Sequence, residues 1–225
     1  MLDKTLHIAI IPDGNRRWAK RFSLKPWQGH AQAMKNSRAL IEWCFHNPRI
    51  SALSLWGFST ENWNRSQEEV DNLMRIYVEW LQSQRSLLME NEIRFVHSGR
   101  MDRIPKDLAS LIQNLTHETE GFSKFTLNFA LDYGGRDEVA RAIQKISEPA
   151  LVTEQSFRQY LDHPELPDID LVIRTSGEHR TSGFFIWQAA YAEWHFEKKY
   201  FPDLTPEDLG RALEDYDQRQ RRFGK

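Results

Sequence analysis

Short apolar runs alternate with stretches of helical period along this chain, and that alternation is what most restricts its fold. Leu6 to Ile11, Ala52 to Phe58, Ile93 to His97, Phe125 to Leu131 and Asp170 to Arg174 are five such runs. Short runs that are apolar on both faces suit strands covered on both sides, as in parallel sheets. Helical spacing covers about Gly29 to His46, Gln67 to Glu90, Pro105 to Glu120, Asp137 to Ile146, a small stretch from Thr153 to Leu161, and a last helix from about Thr205. Within Gln67 to Glu90, the residues Val70, Leu73, Met74, Tyr77 and Leu81 share one helix face. Strand and helix in alternation predict an α/β fold, a central and mostly parallel sheet flanked by helices.

The chain has 225 residues, which suits a single domain spanning 1–225. Its net charge is −2, so a duplex-binding role starts weak and no nucleic-acid partner is expected. Cys44 is the single cysteine, which excludes an internal disulfide framework and a cysteine-rich zinc site. No apolar run approaches the roughly 18 residues of a spanning helix, and the start carries no signal-peptide pattern. A cytoplasmic globular protein is expected.

In open α/β sheets ligands sit at the carboxyl ends of strands, so the strand exits carry the functional information. The first exit reads Pro12-Asp13-Gly14-Asn15-Arg16-Arg17. The second reads Ser59-Thr60-Glu61-Asn62-Trp63-Asn64-Arg65, the fourth Asp132-Tyr133-Gly134-Gly135-Arg136, and the fifth runs from Arg174 through Gly177-Glu178-His179-Arg180-Thr181 to Ser182. Gly-rich turns entering helices present backbone N–H groups to anions. Arginine binds phosphate oxygens in a bidentate fork. Acids among those arginines suit a hard cation such as Mg²⁺, held by carboxylate and substrate phosphate. The residues alone therefore suggest a diphosphate-handling enzyme that uses Mg²⁺, although surface turns are also commonly rich in Gly, Asp and Arg.

These segments resemble, in order, the blocks of the cis-prenyltransferases, the undecaprenyl diphosphate synthase family. The blocks are His7 to Ala19, Gly29-His30, Phe58 to Arg65, Asn128 to Arg136, Asp170 to Thr175 with Trp187 to Glu193, and the tail Arg221-Arg222-Phe223-Gly224. The resemblance implies Mg²⁺-dependent condensation of isopentenyl diphosphate with an allylic diphosphate, farnesyl diphosphate or similar, each new double bond being cis. The product would be a medium or long polyprenyl diphosphate of the undecaprenyl type. It implies that Asp13 and Asn62 are catalytic. Gly14, Asn15, Arg16, Arg17, Trp18 and His30 would hold the allylic diphosphate. Ser59, Thr60, Glu61, Trp63 and Arg65 would position substrate, while Arg174, Arg180, Thr181 and Ser182 would hold isopentenyl diphosphate. Asp13, Glu193 and His179 would bind Mg²⁺. A homodimer is implied, with Arg222 and Gly224 reaching the partner's site, and transient membrane contact as the apolar product leaves.

Each assignment has a plainer alternative. Asp13 and Asn62 can be turn or helix caps, Trp18 and Trp63 core residues, His179 a surface histidine, and Asp203 a cap of the last helix. Met74, Tyr77, Val78, Leu81, Leu87 and Leu88 would line an apolar tunnel or pack outside it. Gly57 would leave space open for a longer product. Some residues depart from the family pattern: Pro12, Arg16, Gly183 and Asp132 are substitutions, and Pro26 stands where an arginine for the allylic diphosphate is usual. Lys25 or Arg16 would compensate. The missing arginine also fits relatives that perform irregular, branching condensations, and an inactive partner subunit is a further alternative. The blocks Ser59 to Trp63 and Gly177 to Arg180 are intact, which favours regular elongation over branching, and Asp13, Asn62, Arg174, Arg180 and Glu193 are all present, which argues against an inactive subunit.

Overall fold

The computed structural model describes residues 5–219. Six parallel strands form one sheet in the order β3-β4-β2-β1-β5-β6. In chain order the elements are β1 (Leu6–Ile11), α1 (Asn15–Arg21), α2 (Pro26–His46), β2 (Ile50–Ser59), α3 (Gln67–Glu90), β3 (Ile93–Ser98), α4 (Lys106–Glu118), β4 (Phe125–Tyr133), α5 (Gly135–Gln144), α6 (Glu154–Phe157), β5 (Leu171–Arg174), β6 (Glu193–Phe196) and α7 (Pro206–Gln218).

Alternation along the strands separates two cores. Ile8 and Ile10 of β1 join the larger core with α2, α3, α4 and α7. Ala9 and Ile11 turn to the opposite face, against Trp56, Tyr133, Val172, Phe184 and Phe185. Burial on both faces explains why β1 and β5 are buried at every position.

Four elements differ from the sequence reading. The helix α1, only seven residues long, stands where no element was assigned between the turn at Pro12–Asn15 and the next helix. The helix α2 begins at Pro26, a residue well suited to the first helical position because it lacks an N–H that would be unpaired there anyway. The strand β6 is a half-buried edge of four residues, too short to show a period. The stretch from Thr153 to Leu161 is one α-helical turn followed by a 3-10 turn at Arg158–Tyr160.

The chain leaves β1 for β2, β3 and β4 on one side and later places β5 and β6 on the other. The exits of β1 and β5 thus face one another where the strand order reverses, with Ile11 beside Arg174. Such a reversal opens a crevice beyond the strand ends.

Candidate active site

Asp13 follows β1, and its backbone is fixed from β5. Its N–H donates to the Thr175 hydroxyl at 2.8 Å, and that hydroxyl donates to the Asp13 carbonyl at 2.7 Å. Gly14 has φ +93, and a Cβ there would stand 2.5 Å from the Tyr200 ring and 2.9 Å from Ser176. Only glycine fits so tight a left-handed turn. The turn aims the Gly14 N–H at the Asp13 Oδ1, 2.6 Å away.

Arg174 is almost fully buried and bridges three groups. It donates to the Asp13 Oδ2 at 2.9 Å, to the Arg180 carbonyl at 2.5 Å and to the Ser182 hydroxyl at 2.8 Å. Its Nε is a buried donor with no protein partner. Burial pushes the Asp13 carboxyl up, but the Arg174 and Gly14 donors, with the charges of Arg174 and Arg17, hold it below the usual carboxylate range. Asp13 is therefore ionised at neutral pH.

Two cavities meet at this carboxylate. One, of about 900 Å³, is walled by the Asp13–Arg17 turn with Lys20, Leu24, Pro26, His30 and Arg65. The other, of about 280 Å³, is walled by Gly57, Ser59, Asn62, Arg174, Arg180 and Ser182. Pro12, Asp13, His30 and Arg65 belong to both walls. The arrangement is two cation-rich pockets that share one acid, which suits two anions held side by side.

His30 is the buried part of that shared wall. Burial, helped by the charges of Arg65 and Arg16, pushes its pKa down to about 3, so it is neutral. Asn15 Nδ2 lies 3.2 Å from its Nδ1, and Arg65 Nη1 lies 3.5 Å from its Nε2.

A histidine that stays neutral when folded but titrates near 6.5 when unfolded makes folding less favourable as pH falls below 6.5. His7 and His97 are lowered in the same way by burial, His97 to about 4. His163, raised beside Glu165, and Glu138, raised by burial, act in the opposite direction. His30→Gln should therefore flatten the loss of stability between pH 7 and pH 5 by up to about 1.4 kcal/mol per pH unit. Urea unfolding at the two pH values measures this, and an unchanged slope would contradict a buried, neutral His30.

The chain matches the Prenyltransf family model, undecaprenyl diphosphate synthase, over residues 11–224. The chain belongs to the undecaprenyl diphosphate synthase family of prenyltransferases. It is 42% identical over 220 residues to an isoprenyl transferase of Fusobacterium nucleatum, covering 97% of this chain and 95% of the relative. It is 38% identical to a tritrans,polycis-undecaprenyl-diphosphate synthase (geranylgeranyl-diphosphate specific) of Thermococcus kodakarensis, over 97% and 86% of the two chains. Among solved structures, lavandulyl diphosphate synthase from Lavandula x intermedia, in complex with dimethylallyl diphosphate, superposes with a TM-score of 0.93 at 35% identity, over 97% and 98%.

In this family member Asn62 caps the 3-10 turn Thr60–Asn64, and its Oδ1 accepts the Ser59 N–H at 3.2 Å. The side-chain oxygen is thus engaged, and the NH₂ is what Asn62 can present to the pocket it lines. Arg65 is held by Glu69 at 3.0 Å, a buried acid that also lies 3.7 Å from Arg16. Arg17 donates to the Ser176 hydroxyl at 2.7 Å, pairs with Glu178 at 2.9 Å and lies over the Tyr200 ring. Ser176, Tyr200 and Lys20 were not expected at the site. Lys20 follows Arg16 by one helical turn, and that spacing was the available signal.

Other expected residues lie elsewhere. The Trp18 indole donates to Asp203 at 2.7 Å and packs on Phe22. Asp203 therefore does not cap α7, which is capped by the reciprocal pair Thr205 and Asp208. Trp63 packs edge-on behind Phe58, a wall residue of the smaller pocket, and donates to Asp132. Thr60 lies against Gly134, and Glu61 and Thr181 wall a separate cavity on the far side of Ser182. His179 is exposed and stacks on Phe196, while Glu193 is paired with Arg219 at 2.9 Å. Among the described residues no group of three or more His, Cys, Asp or Glu side chains could hold a metal ion. Arg222 and Gly224 lie outside the described residues.

Arg16 and Lys20 wall the larger pocket, whereas the Lys25 ammonium sits 5.7 Å over the Trp27 ring and is not in the wall. If the larger pocket holds an allylic diphosphate, Arg16→Ala should raise its KM by about 10-fold or more, as expected for one lost charge-assisted contact. Lys25→Ala should leave it within about twofold by the same reasoning. Steady-state kinetics on both variants would check this, and the reverse order would return the role to Lys25.

The α3 residues expected to line a tunnel or pack outside it are core residues. Met74, Tyr77, Leu81, Leu87 and Leu88 are buried in the main core and Val78 packs against it. A groove of about 380 Å³ lies between α2 and α3, walled by Met34, Ile76 and Trp80. Gly57 does not leave open space, because a Cβ there would stand 2.4 Å from the Phe129 ring. Phe129 in turn packs on Trp80 at 4.7 Å and Tyr77 at 5.6 Å, and Tyr77 donates to the Gly57 carbonyl.

Proposed function

We propose that this chain condenses isopentenyl diphosphate with an allylic diphosphate, adding cis units to give a polyprenyl diphosphate. The observation that carries the reading is the pair of cation-rich pockets sharing Asp13, His30 and Arg65. The allylic diphosphate would lie in the larger, against the Gly14–Arg17 backbone turn and Arg16, Arg17 and His30. Isopentenyl diphosphate would lie in the smaller, against Arg174, Arg180 and Ser182.

The chemistry follows from that placement. The allylic C–O bond breaks and diphosphate leaves with the bonding pair. The isopentenyl double bond supplies the electrons of the new C–C bond. A proton is then lost from the carbon beside the cationic centre, which restores a double bond. The cationic wall stabilises the charge that grows on the departing diphosphate. The amide NH₂ of Asn62 orients a diphosphate oxygen or water that takes the proton; an amide is itself too weak a base. Phe129 and Tyr77 close the apolar side behind Gly57 to water.

Asp13 fits a divalent cation such as Mg²⁺, since a single ionised carboxylate beside substrate phosphates is a frequent magnesium arrangement. Bound there, Mg²⁺ would neutralise charge on the diphosphates. The chain would work as a homodimer, the tail with Arg222 and Gly224 reaching the partner's site, and touch a membrane during product release. No helix among the described residues is long and apolar enough to cross one.

A second reading is a single irregular, branching condensation. It is favoured by the likeness to lavandulyl diphosphate synthase and by Phe129 filling the space beside Gly57. Calorimetric titration with isopentenyl diphosphate and an unreactive thiolo analogue of farnesyl diphosphate tests the shared basis. Two sites per chain, with Arg174→Gln weakening the isopentenyl site alone, is the expected result. Competition of both ligands for one site would overturn it.

A further inference from the structure

Asp132 is the last residue but one of β4 and is fully buried between the apolar Leu131 and Tyr133. Its φ is +49, in the left-handed region that favours glycine. Its Oδ1 accepts the Trp63 indole N–H at 2.8 Å, and its Oδ2 accepts the Arg103 Nε at 2.8 Å. The second arm of the Arg103 fork also reaches Oδ1, and the guanidinium lies 5.9 Å over the Trp63 ring. The Asp132 carbonyl accepts the Arg100 N–H at 3.1 Å. One residue thereby ties together the exits of β2, β3 and β4.

Neither Asp132 nor Arg103 lies in the wall of the two shared pockets, and the carboxylate oxygens are engaged by Trp63 and Arg103. The carboxylate is buried but the Arg103 side chain is 39% exposed, and a partly exposed ion pair contributes little stability. What it supplies here is one fixed geometry. The residue it fixes is Trp63, whose chain neighbour is Asn62.

We propose that Arg103 and Asp132 are positioning residues that clamp Trp63 and, through it, hold the turn carrying Asn62 against the pocket. This rests on the reading of that pocket as a condensation site. The diphosphates would be held chiefly by groups outside this turn, from β1 and β5; Arg65 ends the turn, its N–H donating to the Asn62 carbonyl at 3.1 Å, but its guanidinium is tied to Glu69 on α3. Loosening the clamp therefore lowers kcat more than it raises either KM.

The test uses Asp132→Ala, which removes the acceptor of the Trp63 indole, and Arg103→Met, each made in the native protein and in Asn62→Ala. In the native background each variant should lower kcat by about 10-fold or more, since displacement of a positioned group by about 1 Å can cost up to 10²-fold. The KM values should stay within about twofold. In the Asn62→Ala background the same changes should have little further effect, because a residue acting through Asn62 is not additive with its loss. Equal losses in both backgrounds would overturn the proposal. Hydrogen exchange supplies a readout that needs no turnover. Residues 59–64 should exchange faster in Asp132→Ala while β3 stays protected, and unchanged exchange at 59–64 would also overturn it. If the native protein yields no product with any allylic diphosphate, the condensation reading falls, and the exchange measurement still decides whether the clamp exists.

Discussion

Asp13→Asn should lower kcat by about 10²–10³-fold, the usual effect of removing a group that acts on developing charge. Asparagine keeps the shape and one oxygen, so the Gly14 N–H and one Arg174 N–H keep an acceptor. What it loses is the negative charge shared by the two pockets. A divalent cation between the diphosphates would then have no protein carboxylate at this turn. Arg174 would also lose the counter-charge that accompanies its burial. The KM for isopentenyl diphosphate should change much less than kcat, since Arg174, Arg180 and Ser182 remain. Single-turnover kinetics at saturating Mg²⁺ would measure this. Retention of more than about a tenth of native kcat would remove Asp13 from the chemistry on the same scale. In the native enzyme the acid limb set by Asp13 should lie below the usual carboxylate range, because its pKa is lowered. The stability that Asp13 contributes is present above pH 3.8 and is lost as pH falls through its lower folded value.

Arg174→Gln is expected to be as damaging, and on isopentenyl diphosphate more so. Its side chain is 4% exposed and joins the Asp13 carboxylate to the 180–182 loop. Truncating one member of a buried, hydrogen-bonded charge pair costs about 2–5 kcal/mol, or roughly 30- to 5,000-fold in kcat/KM for isopentenyl diphosphate. Arg174→Lys should not rescue it, because a point charge on a flexible stem cannot bridge a carboxylate, a carbonyl and a hydroxyl together. Removing Arg174 also removes the leading group that holds the Asp13 carboxyl down, so the acid limb of the rate profile should move to higher pH. Combined with Asp13→Asn, the loss should be far from additive. Additive losses and an unmoved acid limb would show that the two residues act separately. Arg180 is 57% exposed, so Arg180→Ala should cost less than either.

Much of this architecture was legible in the chain because burial on both sheet faces leaves strands such as Leu6–Ile11 without polar interruption. The crevice was legible because strand exits rich in Gly and Arg converge when the strands are parallel. What escaped reading depends on contacts distant in sequence. The strand β6 is four half-buried residues that become a strand only by pairing with β5. The helix α1 went unassigned because it is only seven residues long and follows directly on the turn at Asp13-Gly14. Trp63 looked like a substrate contact because it adjoins Asn62, but its indole N–H finds an acceptor 69 residues away. Gly57 suggested open space, yet a glycine leaves room for any neighbour, and here the neighbour is the Phe129 ring.

The central claim is that two diphosphates react across Asp13. The most direct measurement incubates the protein with Mg²⁺, labelled isopentenyl diphosphate and, in parallel, dimethylallyl, geranyl, farnesyl and geranylgeranyl diphosphates, with products read by mass spectrometry. A ladder of five-carbon steps ending at one length, abolished in Asp13→Asn, is the predicted result. No condensation with any starter, in protein shown to be folded, would contradict it.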